Sequence, residues 1–256
     1  MKEKLTIIKV GGAVVEDEQQ LNELLTSFVA VTGGKVLVHG GGRRATKVAA
    51  ALGIESRMVN GRRITDKAML DVVTMVYGGL VNKGLVARLQ AKGVNALGLT
   101  GADMNVVLSH KRPPKEGVDF GFVGDVDRAD GAALNHLIQQ GIVPVMASLT
   151  HDGCGHILNT NADTIASEIA KALAPYYEVN LVYCFEKKGV LVGENEDNVI
   201  PELTYEAFKA HVESGVIAGG MIPKLENAFA AIRTGVSKVM ITHASAIDGR
   251  HGTIIR

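Results

Sequence analysis

Apolar residues follow two rhythms along the chain, and the rhythms alternate. "LTIIKV" (5–10), "KVLVH" (35–39), "VNALGL" (94–99), "IVPVMAS" (142–148), "VNLVYCF" (179–185) and "KVMITH" (238–243) are short and mostly apolar. Such runs predict strands buried on both faces. Between them the apolar positions take helical spacing. Over 17–31, Leu21, Leu24, Leu25 and Phe28 share one face, and Gly33-Gly34 stops the helix. Helices are also expected over 43–52, 66–91, 131–140, 162–174, 204–214 and 223–234, the longest bent at Gly78-Gly79. "SRMVNGRRIT" (56–65) reads as a hairpin around Asn60-Gly61. "THDGCGHIL" reads as a turn, and the stretch through "HKRPPKEGVDFGFVGDV" (110–126) as irregular. The chain shows no internal repeat, low-complexity tract or flexible linker. Strand and helix in alternation imply an α/β fold, with a mainly parallel central sheet covered on both faces. Ligands of such sheets bind beyond the carboxyl ends of the strands.

Composition narrows the functions. The 256 residues carry 27 basic and 27 acidic side chains. That balance argues against a dedicated nucleic-acid binder, and 4% aromatics are too few for base-stacking platforms. Cys154 and Cys184 form no CxxC pair and no disulfide framework, which suits a reducing compartment. The N-terminus lacks the apolar core of a signal peptide, and no run approaches the ~18 apolar residues of a membrane span. A cytoplasmic protein without a membrane or nucleic-acid partner is expected.

The candidate chemistry sits just after the strands. In "IIKVGG", Lys9 lies near the end of an apolar strand, before Gly11-Gly12. A buried ammonium there requires an anion; an edge lysine reaching solvent is the other reading. "HGGGRRA" (39–45) is not a Walker loop, since no Gly-Lys-Ser/Thr follows. Gly40, Gly42 and Ala45 do fit G-x-G-x-x-A, but no buried strand ending in Asp or Glu follows, and Glu55 comes too early. That disfavours a nicotinamide dehydrogenase. An anion held by backbone N–H groups at a helix N-terminus fits better, against a plain tight turn. In "LNTNAD" (158–163), Asn161 suits an N-cap and Asp163 the first turn of a helix, while Asn159 adds a polar group that helix capping does not require. In "AGGMIPK" (218–224), Lys224 puts positive charge at the positive end of a helix, as Arg43 and Arg44 do. A glycine pair, a helix start and a lysine together suggest a phosphate. His151, Cys154 and His156 crowd one Asp-Gly turn without the second ligand pair of a zinc site, so no metal cluster is expected.

"IIKVGG", "VLVHGGG", "NGRRIT", "GLTG" followed by "GFVGDV", "IVPV", "NTNAD" and "GGMIPK" occur in that order over nearly the whole chain. Each is weak alone; the ordered set resembles the amino-acid kinase family. The resemblance implies an open αβα sandwich. About 1–175 would form the substrate-binding lobe and about 176–256 the nucleotide-binding lobe. "NTNAD" and the arginine of "NGRRIT" are similar to the branch that phosphorylates the side-chain carboxylate of N-acetyl-L-glutamate with ATP, a step of arginine synthesis. Magnesium would be held mainly by the phosphates. The resemblance also assigns roles. Lys9 and Lys224 would flank the transferring phosphoryl group, with Asp163 between them. Gly41, Gly42, Arg63 and Asn159 would hold the acylated amino acid. Gly11, Gly12, Glu186, Gly189 and Met221 would meet the nucleotide.

The chain departs from the pattern in three places. "CFEKKG" puts Phe185 and Glu186 where the family usually has Ser/Thr-Asp. Arg43-Arg44 follows the triple glycine where Pro is frequent, and "GADMN" replaces a Gly-Lys-Asp-Gly. The extra arginines would suit a second anion on the acyl group, as in N-succinyl-L-glutamate. The "CFEKKG" change also leaves room for a non-catalytic sensor of nucleotide and metabolite. The first strand starts at about residue 5, leaving no place for the N-terminal helix of arginine-inhibited hexameric members. A homodimer insensitive to arginine, joined through 66–91, is therefore expected.

Overall fold

Residues of the first strand face alternately into two cores, and this sets the layering. In the computed structural model, Leu5 and Ile7 join one apolar cluster, while Ile8 and Val10 join another. Residues 2–59, 61–115, 117–193, 198–244, 246–247 and 251–256 are described. The first half of the chain carries β1 (Lys4–Val10), β2 (Gly34–His39), the paired β3 (Met58–Val59) and β4 (Arg62–Arg63), β5 (Ala96–Leu99), β6 (Val107–Lys111) and β7 (Gly124–Ala129). The second half adds β8 (Val143–Ala147), β9 (Leu149–His151), β10 (Ile157–Asn159), β11 (Glu178–Phe185), β12 (Glu202–Leu203), β13 (Lys238–His243) and β14 (Thr253–Ile255). The helices are α1 (Gly12–Glu16), α2 (Glu18–Ala30), α3 (Gly42–Ala51), α4 (Lys67–Val73), α5 (Asn82–Ala91), α6 (Gly131–Gln139), α7 (Ala162–Leu173), α8 (Tyr205–Glu213) and α9 (Met221–Arg233).

Eight strands form the central sheet in the order β12-β14-β13-β11-β1-β2-β8-β5. Neighbours are parallel except β13 and β14, which run antiparallel. The apolar residues of α6, α7 and α9 cover one face, and those of α2, α3, α4 and α5 the other. The expected αβα sandwich is therefore present. β1 lies at the centre, paired with β11 on one side and β2 on the other, so Lys9 stands level with Tyr183 and Val38. Short polar side chains start several helices. Asp17, Asp66, Asp130, Asn161 and Thr204 each accept a backbone N–H of the first turn, which satisfies donors that a helix start leaves open.

Two sequence expectations need correction. The stretch expected to be irregular begins in β6 and ends in β7, and the expected turn at 150–158 is the hairpin β9–β10. Together they form a second, four-stranded sheet in the order β10-β9-β6-β7. Its strands are short and half-polar, "VLSHK" and "GDVDRA" among them, so no apolar run announces them. The long helix runs on through Gly78-Gly79. It widens into a π-helical segment over Thr74–Val81 between α4 and α5. The hairpin at 58–63 forms with Val59 opposite Arg62; Asn60 lies outside the described residues. The run Lys67–Ala91 would be long and apolar enough to cross a membrane by length and composition, but half of its apolar window is buried within the protein. Its Met69, Val72, Val73, Val76, Leu85 and Leu89 pack into the second core.

Candidate active site

The central strands and the following helices gather the predicted residues at the carboxyl edge of the sheet. Alternation puts Lys9 on the same face of β1 as Leu5 and Ile7, the face that α7 covers. α7 begins there, and its second residue is Asp163. The Lys9 Nζ lies 2.8 Å from Asp163 Oδ1, with side-chain exposures of 9% and 8%. Oδ1 has no aligned hydrogen bond, so the contact is Coulombic rather than directional. The reading of Lys9 as an edge lysine reaching solvent is therefore wrong. A buried pair of this kind breaks even only when further partners satisfy it. Asp163 also helps Lys224, which stands in the first turn of α9. Burial holds the Lys224 pKa below the usual lysine range; the Asp163 charge opposes that and the Lys9 charge adds to it. The charge of one carboxylate thus acts on two ammonium groups. Both cations lie over the ring of Phe185, at 4.8 Å for Lys9 and 4.2 Å for Lys224 from its centroid.

The glycine loops after β1 and β2 meet next to this cluster. Gly11 donates its N–H to the Cys184 carbonyl at 3.1 Å, tying the end of β1 to β11. A Cβ placed on Gly12 would come within 3.9 Å of the Gly42 nitrogen. At Gly41 a Cβ would stand 2.8 Å from the Tyr77 ring, too close for any side chain. α9 starts at Gly220 without a side-chain cap, but Met221 and Ile222 donate their N–H groups to the Ala218 and Gly219 carbonyls and Pro223 has none; α3 starts at Gly41, also uncapped. The first N–H groups of α3 remain available to an anion, unlike those of the Asp-capped helices.

Arg63 lies behind the second loop, buried in β4. Its Nη2 donates to the Gly42 carbonyl and to Thr46 Oγ1, each at 2.9 Å, and its Nη1 to Ser56 Oγ and, at 3.8 Å, to Met69 Sδ. Among the described residues no carboxylate lies within 4 Å of it. A buried guanidinium surrounded only by neutral acceptors is a site for an anion from outside. Asn159 joins the same wall, donating from Nδ2 to Thr65 Oγ1 at 3.0 Å. His39 holds the loop from below. Its ring contacts the Gly40 carbonyl at 2.8 Å through Nδ1 and Asn82 Nδ2 at 2.9 Å through Nε2. That pattern requires a proton on Nδ1 and a lone pair on Nε2. Burial depresses the His39 pKa to about 4.

The remaining predicted residues are spread more widely. Glu186 is exposed and pairs with Arg43 at 2.9 Å, so it links the loop after β11 to the start of α3. Arg43 and Arg44 therefore do not act as a pair. Gly189 is buried under Val199 and Thr253, where a Cβ would meet Val199 at 2.6 Å; that contact alone accounts for a glycine. Met221 is half-buried as the first residue of α9. Asp152 accepts from the N–H groups of Cys154 and His156 and from His156 Nδ1, which closes the Asp-Gly turn on itself. Sequence reasoning missed Tyr77, Thr46, Ser56 and Asn82. Thr46 directly follows the glycine loop at 39–45, but nothing in its type marked it, and Tyr77 lies in an otherwise apolar helical run.

The profile of the amino acid kinase family matches residues 4–243. The chain belongs to that family. Within it the relatives are close. The acetylglutamate kinase of Phocaeicola vulgatus is 68% identical, the alignment covering 100% of both chains. The acetylglutamate kinase of Bacteroides fragilis is 67% identical over 100% of this chain and 98% of its own. Among solved structures, the smu.665 protein of Streptococcus mutans matches with a TM-score of 0.80 at 28% identity, over 98% of each chain. The family fold thus places its two glycine loops and two lysines where the sheet's central strands end.

Proposed function

We propose that this chain is a kinase that transfers the γ-phosphoryl group of ATP to the side-chain carboxylate of N-acetyl-L-glutamate. The product is N-acetyl-L-glutamyl 5-phosphate, formed in the second step of arginine synthesis by the acetylated route. Acetylglutamate kinases at 67–68% identity over the full chain support the substrate. The observation that carries the chemistry is the Lys9–Asp163–Lys224 arrangement at the sheet edge. A glutamate side chain, with a pKa of about 4.3, is already an anionic nucleophile at neutral pH. The reaction therefore needs no general base. It needs two anions brought together with their charge neutralised. Lys9 and Lys224 flank the phosphoryl group in transit, and Asp163 sets the distance between them. The N–H of Gly12 meets phosphate oxygens on one side, that of Gly11 being held by the Cys184 carbonyl. The N–H groups of Gly41 and Gly42 hold the attacking carboxylate on the other. Arg63 binds the α-carboxylate, with Asn159 beside it. Apart from the phosphate contacts of Lys9 and Gly12, residues 1–175 supply the acyl substrate's contacts and 176–256 those of the nucleotide, including Glu186 and Met221.

Magnesium fits as a guest of the phosphates. Among the described residues no group of three His, Cys, Asp or Glu side chains gathers to hold it, and magnesium usually keeps phosphate and water ligands. When bound it neutralises phosphate charge; orientation falls to the side chains above.

A panel of N-acylglutamates with ATP, read as hydroxylamine-trapped acyl phosphate, tests the reading. Turnover with N-acetyl-L-glutamate supports it; nucleotide binding without acyl phosphate from any member would make the chain a sensor. N-succinyl-L-glutamate belongs in that panel because Arg44, next to the glycine loop, is exposed and makes no ion pair among the described residues. We also propose a homodimer. Met75 and Leu80 stand exposed on the π-helical segment, and β5 with Leu97 is an open sheet edge. Open edges and exposed apolar residues call for a cover. Sedimentation giving a monomer or a hexamer would refute it.

A further inference from the structure

Phe185 ends β11, and its ring is where the cations of the site converge. The ring lies nearly parallel to that of Tyr183, with centroids 6.3 Å apart and planes 10° from parallel. The Tyr183 hydroxyl donates to the Asp163 carbonyl at 3.2 Å, so the support behind Phe185 is itself fixed to α7.

The two lysines are not held alike. Lys9 has Asp163 at 2.8 Å. Lys224 makes no hydrogen bond or ion pair among the described residues; the ring at 4.2 Å is its one close partner. Its surroundings work against it. It stands in the first turn of α9, at the positive end of the helix, with its side chain half-buried and a second ammonium nearby. A flexible four-carbon side chain under those conditions gains rotamer freedom by swinging into solvent. An aromatic face opposes that, because a partly desolvated cation is attracted to the ring quadrupole.

We infer that Phe185 is a positioning residue, whose ring holds the Lys224 ammonium beside that of Lys9 where the transferring phosphoryl group is met. A carboxylate in this place would also anchor the lysine, but it would cancel the charge that the phosphate needs. A neutral ring anchors the cation and leaves its charge intact, so little rearrangement is needed when the phosphate arrives. The inference rests on the reading of Lys9 and Lys224 as partners of the phosphoryl group. It gives the "CFEKKG" sequence a task that a small hydroxyl residue at 185 would not perform.

Steady-state kinetics on Phe185→Leu, Phe185→Tyr, Lys224→Ala and the Phe185→Leu/Lys224→Ala double variant test it. Leucine keeps an apolar side chain and removes the π face; tyrosine keeps the face. Phe185→Leu should lower kcat about tenfold with KM for ATP within about threefold, while Phe185→Tyr stays within about threefold of the parent in kcat. In the Lys224→Ala background, Phe185→Leu should cost less than about twofold, because its effect runs through the lysine already removed. An undiminished loss in that background would overturn the inference. So would a raised KM for ATP at unchanged kcat, or a tyrosine variant as slow as the leucine one. Lys224→Ala turning over at the parent rate would instead bring down the underlying reading, and the inference with it. Should Phe185→Leu fail to fold, Phe185→Met takes its place in the same cycle.

Discussion

The two sides of the site solve the problem of charge in opposite ways. On the phosphate side, two ammonium groups share one carboxylate and one aromatic ring, and Lys224 has no directional bond at all. On the acyl side, Arg63 has a neutral acceptor at each of its contacts, and His39 is locked as a neutral ring between Gly40 and Asn82. The first side keeps positive charge available for a group that becomes more charge-demanding during transfer. The second fixes geometry before anything binds. Their difference matches the division between stabilising a transition state and holding a ground state.

The strongest way to break this comparison is to remove a lysine. Lys9→Ala or Lys224→Ala should lower kcat by about 100-fold or more and change KM for the acylglutamate little. Initial rates at saturating ATP check it, and near-parent rates in both would end the catalytic assignment. Acid probes the other side. The folded protein holds His39 at about 4 against an ordinary 6.5, so as pH falls the unfolded chain takes up this proton first. Stability is then lost progressively from about pH 6.5 down to about 4, with no contribution from His39 above pH 7.5. By pH 5 the loss is about 2 kcal/mol. Denaturant midpoints across that range should show it, and His39→Gln should flatten that part of the curve. Arg63→Ala should raise KM for the acylglutamate about tenfold while kcat falls less; an equal fall in kcat would place Arg63 with the lysines. The smallest effect is expected at Arg43→Ala. Its pair with Glu186 is more than half exposed at the arginine, and exposed pairs contribute ~1 kcal/mol or less. Melting temperature and KM for ATP should both move little; a large rise in KM for ATP would make the Arg43–Glu186 link part of the nucleotide site.

Much of the central sheet was legible because its strands are buried on both faces and so read as apolar runs. Lys9 was legible for the same reason: one charge in such a run needs a partner. The second sheet was not. "VLSHK" and "GDVDRA" take strand form because they pair with each other, and the first of them with β9, across long separations, and their polar residues hide that from any local pattern. The π-helical segment was equally hidden, since a widened turn keeps the apolar content of an ordinary helix. Phe185 was visible only as a break in a familiar pattern. Nothing near it in sequence indicates that its ring faces Lys9 and Lys224, which lie 176 residues before it and 39 after it.

By itself, then, the sequence determined the alternation of strand and helix, the glycine loops at the strand ends and the residue types that handle anions. These are local properties, set by periodicity, by backbone freedom and by the cost of burying a charge. The tertiary structure alone decided which partner each charge received. Asp163 serves Lys9 and Lys224 together, Arg63 receives no acid, and Glu186 goes to Arg43. The reason is physical: parallel pairing of β2, β1 and β11 brings together ends that the chain keeps far apart, and an ion pair depends on distance in space, not on spacing along the chain.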